Sequence, residues 1–221
     1  MYSKKFAHIH IPKCAGVDIL MFFGCKMPTD KSMIIKDKEK LKRYGKVFCP
    51  VIHHHTIKMV KKKLPKDCIT FSVIRNPWDR MVSNYLHQRK KGVNLTDAKS
   101  FEEYVERIPW GKVVDSASQL YWLTDSEYST EESYTGKRNF QADQFFPEEI
   151  IVDHLLRIEN MKIEWWNLCR IIDIAYRPLS KTHINKGREH YSHYYNNRTK
   201  KIIELCYQEE IERFKYKYEV K

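Results

Sequence analysis

The chain has 221 residues, long enough to bury a core without disulfide or metal staples. Hydrophobic residues make up 42% and charged residues 31%, which excludes a disordered or fibrous chain. Lysine and arginine number 40 against 28 aspartate and glutamate. The net charge of +12 points to an anionic partner: nucleic acid, a membrane surface, a phosphate- or sulfate-bearing ligand, or an acidic substrate.

Along the chain, residues 6–11 alternate in character and stop at Pro12, which predicts a short strand. A turn over residues 12–16 then leads into an apolar run, 17–27, that predicts a buried helix. Residues 46–52 read as a second strand. Residues 56–64 read as a helix with Ile57, Val60 and Leu64 on one face and lysines opposite. The β-rich run 69–74 predicts a central strand. Asn76-Pro77 then opens a helix, with proline at its favoured first position and Met81, Tyr85 and Leu86 facing inward. Residues 93–145 are the least regular, with short helices expected near 101–107 and 116–123.

Residues 150–158 predict another strand. Met161, Trp165, Leu168, Ile172 and Ala175 recur at spacings of four, three, four and three, marking an amphipathic helix with the Trp165-Trp166 pair as core. A last helix is expected over 198–214, burying Ile202, Ile203, Cys206, Ile211 and Phe214. Strands alternating with helices predict a single-domain α/β fold with a mainly parallel central sheet flanked by helices. Ligands of such sheets bind beyond the carboxyl ends of the strands.

Several classes drop out early. The seven glycines form neither G-x-G-x-x-G nor G-x-x-x-x-G-K-[ST], which disfavours a standard dinucleotide fold and a Walker-type NTPase. The six cysteines never form C-x-x-C, so buried free thiols in a reducing compartment are expected. The apolar run 19–23 is far short of the ~20 residues of a membrane span, which predicts a soluble, cytoplasmic protein.

Two segments at the expected strand ends look like anion binders. In Ile11-Pro12-Lys13-Cys14-Ala15-Gly16-Val17-Asp18 a strand feeds a turn and a helix N-terminus, whose free N–H groups favour an anion, and Lys13 adds a mobile charge. In Arg75-Asn76-Pro77-Trp78-Asp79-Arg80-Met81-Val82-Ser83, Arg75 can offer a bidentate fork to a phosphate, with Ser83 two turns into the helix. The same residues also allow a plain Arg75–Asp79 ion pair with Ser83 on the helix surface.

Together the loops resemble the nucleotide-binding motifs of the PAPS-dependent sulfotransferases, in particular the branch of heparan sulfate 2-O-sulfotransferase and its bacterial and viral relatives. Residues 8–16 resemble that branch's 5′-phosphosulfate loop, commonly written I-P-K-T-A-G-T-S. Residues 75–83 resemble its 3′-phosphate motif, where an arginine precedes a serine by eight positions. Leu156-Arg157-Ile158-Glu159-Asn160, and His183-Ile184-Asn185-Lys186 with the tyrosines that follow, extend the resemblance from about residue 6 to about 218.

The resemblance implies a fold related to P-loop nucleotide kinases. It also implies 3′-phosphoadenosine-5′-phosphosulfate (PAPS) as sulfate donor, PAP as product, and no metal. By position, Lys13 would contact the 5′-phosphosulfate and stabilise the leaving phosphate oxygen. Cys14, Ala15, Gly16 and Val17 would supply backbone N–H donors, Arg75 and Ser83 would hold the 3′-phosphate, and Lys186 joins the donor-binding set. Two departures stand out: Val17-Asp18 replaces the usual Thr-Ser, removing two hydroxyl contacts, and Cys14 replaces a threonine. At a helix N-terminus beside Lys13, the Cys14 thiol is expected to be acidified and reactive.

Sulfuryl transfer to an alcohol needs a base that titrates near neutrality, which favours histidine. His53-His54-His55-Thr56 closes the predicted second strand, and His54 satisfies the His-x-Thr pattern in which the resembling family places its base. His53 or His55 could orient it. Consecutive residues seldom present ligands to one metal, so a metal site is not expected there. His8 and His10 alternate on the first strand and read as packing residues.

The resemblance implies a hydroxyl-bearing acceptor, expected to be a glycan, with 93–145 as an acceptor-side insertion. The competing readings are a basic nucleic-acid-binding protein, suggested by Lys58 and Lys61-Lys62-Lys63, and a nucleotide-binding relative without transfer activity. No helix-turn-helix, zinc-finger or RNP signature accompanies the lysines, so stable nucleic-acid binding is not expected.

Overall fold

The run 69–74 is central in the fold because it is buried on both faces and pairs on both edges. The computed structural model describes residues 5–23, 33–34, 48–49, 55–90, 95–125, 148–180 and 187–221. β1 (Phe6–Ile9) leads into α1 (Gly16–Phe22), and β2 (Met33–Ile34) pairs antiparallel with β3 (Phe48–Cys49). α2 (Ile57–Lys61) precedes β4 (Ile69–Ile74), which feeds α3 (Pro77–Gln88). α4 (Phe101–Glu106) and α5 (Leu120–Leu123) follow, then β5 (His154–Arg157) and α6 (Met161–Ile171). α7 (Asn197–Cys206) and α8 (Gln208–Phe214) come last.

β4 lies between β1 and β5 and is parallel to both, with Ile9 opposite Ser72 and Ile74 opposite Arg157. The predicted parallel α/β sheet flanked by helices is therefore present. Ser72 ties it laterally by donating its hydroxyl to Ile9 O at 2.7 Å. This register brings the residues after β1, β4 and β5 to one edge.

The core is strongly aromatic. Trp165 packs edge-on against Phe22 with centroids 4.9 Å apart, and Phe6 lies 4.8 Å from Phe23. Each large apolar side chain buried in this way stabilises the fold by ~1.5–3 kcal/mol. Residues 95–125 belong to the same core, through Phe101, Tyr104, Leu120, Tyr121 and Trp122. Among the described residues no helix is long and apolar enough to cross a membrane.

Three expectations need correction. The predicted strand 150–158 begins only at His154, because the Asp153 carboxylate takes the Thr70 N–H and hydroxyl, each at 2.7 Å, and so pins the strand start. The predicted last helix is two helices, broken at Tyr207 (φ −124°), whose phenol is drawn inward to donate to Ser116 O. Trp166 is 43% exposed under Arg170, while Trp165 is buried, since neighbours on a helix point about 100° apart.

Candidate functional site

The first loop turns sharply after β1. Lys13 (φ 65°) and Ala15 (φ 57°) both adopt left-handed backbone although neither is glycine. Each costs of order 1–3 kcal/mol and persists only where surroundings over-determine it. Here the Cys14 N–H donates to Ile11 O at 3.3 Å, and Arg75 Nη1 donates to Lys13 O at 2.9 Å. Gly16 is required for a different reason: a Cβ there would lie 1.8 Å from His10 Nε2. His10 stacks on His8, and His8 on Phe71, so both histidines pack in the core beneath the loop.

Lys13 is half-buried. Desolvation, reinforced by the neighbouring Arg75, lowers its pKa to about 8. An ammonium poised in this way gains most when an anion arrives. Cys14 is the opposite of the expected reactive thiol. It is 1% exposed, donates to Gln119 Oε1 at 3.4 Å, and burial pushes its pKa up to about 12. Arg80 and Arg75 favour the thiolate, but complete desolvation outweighs them. In native alkylation followed by mass spectrometry, Cys14 is expected to label more slowly than Cys68. Faster labelling of Cys14 would show that the loop opens in solution.

The second loop begins where β4 ends. Asn76 caps α3 by accepting the Trp78 N–H at 3.1 Å, and its own N–H donates to Glu159 Oε1 at 2.7 Å, in the turn after β5. Arg75 Nε meets Asp79 Oδ2 at 2.6 Å, so the simple ion pair is present. It is part of something larger, because Arg188 joins Asp79 from the far end of the chain. Burial works against the Asp79 charge, but Arg75 and Arg188 hold its carboxyl below the usual carboxylate range. The Arg188 Nε is buried with no hydrogen-bond partner among the described residues. Ser83 is buried on α3, and its hydroxyl also lacks a partner among them.

The structure thus brings Lys13 and Arg75 into contact, with Cys14, Ala15, Gly16 and Val17 alongside Lys13 in the same loop and α1 start. Asp18 stands in the first turn of α1. His53, His54 and Lys186 lie outside the described residues. Thr56 of the His-x-Thr pattern is fully buried and caps α2, accepting the Met59 N–H at 3.3 Å. Among the described residues no group of three His, Cys, Asp or Glu side chains could hold a metal ion.

A family model described as the sulfotransferase domain matches residues 3–129, more than half of the chain and both anion loops. The chain belongs to the sulfotransferase family. Comparison with curated proteins finds no match. Among solved structures, mouse sulfotransferase SULT7A1 complexed with PAP superposes with a TM-score of 0.52 at 16% identity, covering 94% of this chain and 84% of that one. That likeness establishes the P-loop-like α/β sulfotransferase fold.

Within this sulfotransferase, sequence reasoning missed Arg188 and Gln119. Arg188 stands two positions past Lys186 in a basic run, a signal that could have nominated it. Gln119 sits in the irregular middle stretch with no local signal at all.

Proposed function

We propose that this sulfotransferase moves a sulfuryl group from PAPS to a hydroxyl of a carbohydrate acceptor, as a relative of the heparan sulfate 2-O-sulfotransferase branch. The observation that carries the reading is the union of the two anion loops at the carboxyl edge of the sheet, where Arg75 donates to the backbone of Lys13. The orphaned Arg188 Nε and the unengaged Ser83 hydroxyl suit a phosphate beside Arg75, so the residues present fit the donor's 3′-end. The SULT7A1 structure, complexed with PAP, supports the same nucleotide class.

The donor supplies an activated sulfuryl group whose bridging oxygen departs with the 5′-phosphate. Lys13 places its ammonium at that oxygen, and the N–H groups at the start of α1 share the charge. Arg75, Ser83 and Arg188 grip the 3′-phosphate and set the nucleotide's direction, with Lys186 as a further donor contact. His54 accepts the acceptor's hydroxyl proton as the new oxygen–sulfur bond forms. Residues 93–145 are the proposed acceptor side. In support, Asp115 lies close enough to Lys13 to favour its charge.

Calorimetry with PAP, then transfer of radiolabelled sulfate from PAPS to pooled glycans and to small alcohols, tests the reading. Absence of PAP binding would overturn the donor. Transfer confined to small alcohols would overturn the carbohydrate acceptor.

The lowered Lys13 pKa gives a pH signature. Below about 8 the ammonium is charged and meets the phosphate; above it the neutral amine offers no counter-charge, so PAP affinity is expected to fall as pH rises through that value. Binding raises the Lys13 pKa, so uptake of up to about half a proton at pH 8, growing toward one just above it, should appear in buffers of different ionisation enthalpy. Lys13→Arg, which stays charged, should flatten the dependence.

A further inference from the structure

Both donor loops are held from behind by one side chain. Gln119, fully buried just before α5, accepts the Arg75 N–H at 2.8 Å and the Cys14 thiol at 3.4 Å on its Oε1. Its Nε2 donates to Arg75 O at 2.8 Å and to Glu210 Oε1 at 2.6 Å. Two donors face one end of this amide and two acceptors face the other, so only one orientation satisfies it. Glu210, fully buried on α8, also accepts the Gln119 N–H at 2.6 Å and the Ser118 hydroxyl at 2.9 Å. The carboxylate therefore fixes backbone and side chain of this segment together. Buried Arg80, anchored on Ala117 O at 2.6 Å, supplies a neighbouring positive charge.

The arrangement separates holding from binding. The Arg75 guanidinium must share itself with a ligand, but its backbone is bracketed on both sides by the Gln119 amide, as in a rung of a sheet. The same amide reaches Cys14, the neighbour of Lys13. One side chain therefore ties the cation proposed for the 3′-phosphate to the loop carrying the cation proposed for the 5′-end. We propose that Gln119, oriented by Glu210, is a positioning residue that sets the separation of these two cations to match a nucleoside 3′,5′-bisphosphate. The proposal rests on the donor reading above.

A ligand with phosphates at both ends feels a spacing error, and one with a single phosphate does not. PAP and adenosine 5′-monophosphate (AMP) therefore form the test pair, titrated by calorimetry at a temperature where every variant is folded. Gln119→Leu is expected to weaken PAP by ~10-fold or more and to leave AMP nearly unchanged, since a misaimed cation loses most of its charge-assisted contact with the second phosphate. Leu168→Ala, a core truncation on α6, lowers stability without touching the loops and should keep both affinities within about twofold.

An unchanged PAP-to-AMP ratio in Gln119→Leu, or an equal loss for both ligands, would overturn the positioning role. Should the leucine variant fail to fold, Gln119→Met, of the same length and without the amide, carries the same expectation. Failure of the donor reading looks different: the unmodified protein would then bind no PAP, and this proposal would fall with it.

Discussion

His54→Ala is expected to lower turnover by ~10²–10⁴ while leaving PAP affinity nearly intact. The proposed base takes its proton from the acceptor, so its loss is felt in the transition state and not in the bound donor. The neighbouring Thr56 is buried and caps α2, which anchors the chain just after the triplet. The unmodified protein should show a bell-shaped pH–rate profile. In kcat/KM, which reports the free enzyme, the rising limb would belong to the proposed histidine base and the falling limb to Lys13, whose pKa is lowered to about 8 before the donor binds. His54→Ala should erase the rising limb and keep the falling one. A larger loss in His53→Ala or His55→Ala would place the base one residue away. Near-normal turnover in all three variants would remove histidine from the mechanism.

Lys13→Ala should behave differently, lowering donor affinity and turnover together. In the proposed role its ammonium would contact the ground-state phosphosulfate and also the charge developing on the leaving oxygen. A charge-assisted contact of this kind is worth ~1.5–3 kcal/mol in binding, and removal of a transition-state donor costs ~10²–10³ in turnover. Because Lys13 sits at φ 65°, alanine there keeps the backbone strain and glycine relieves it. Lys13→Gly should therefore lose the same chemistry as Lys13→Ala with a higher melting temperature. Single-turnover kinetics with saturating PAPS separates the two effects. An unchanged single-turnover rate in both variants would confine Lys13 to binding.

Local pattern was enough for much of the architecture. The run 69–74 is β4 residue for residue, Pro77 starts α3, and the four-three spacing from Met161 marks α6. The Lys13 and Arg75 loops could be nominated because strand-to-loop transitions and basic residues are local features. Buried thiols were legible too: Cys14, Cys68, Cys169 and Cys206 are all buried.

What the tertiary structure alone decided depends on neighbours remote in sequence. The Cys14 thiol is sealed and not acidified, because residues packed around it desolvate it and push its pKa up. Tyr207 breaks the last helix because Ser116, 91 positions away, accepts its hydroxyl. Arg188 completes the Arg75–Asp79 pair across 109 positions, and Gln119 joins Cys14, Arg75 and Glu210 across separations of 105, 44 and 91. Periodicity reports which face of an element is buried. It carries no information on which distant group meets that face, and desolvation and hydrogen-bond partnership, which set the chemistry of a site, arise only from that meeting.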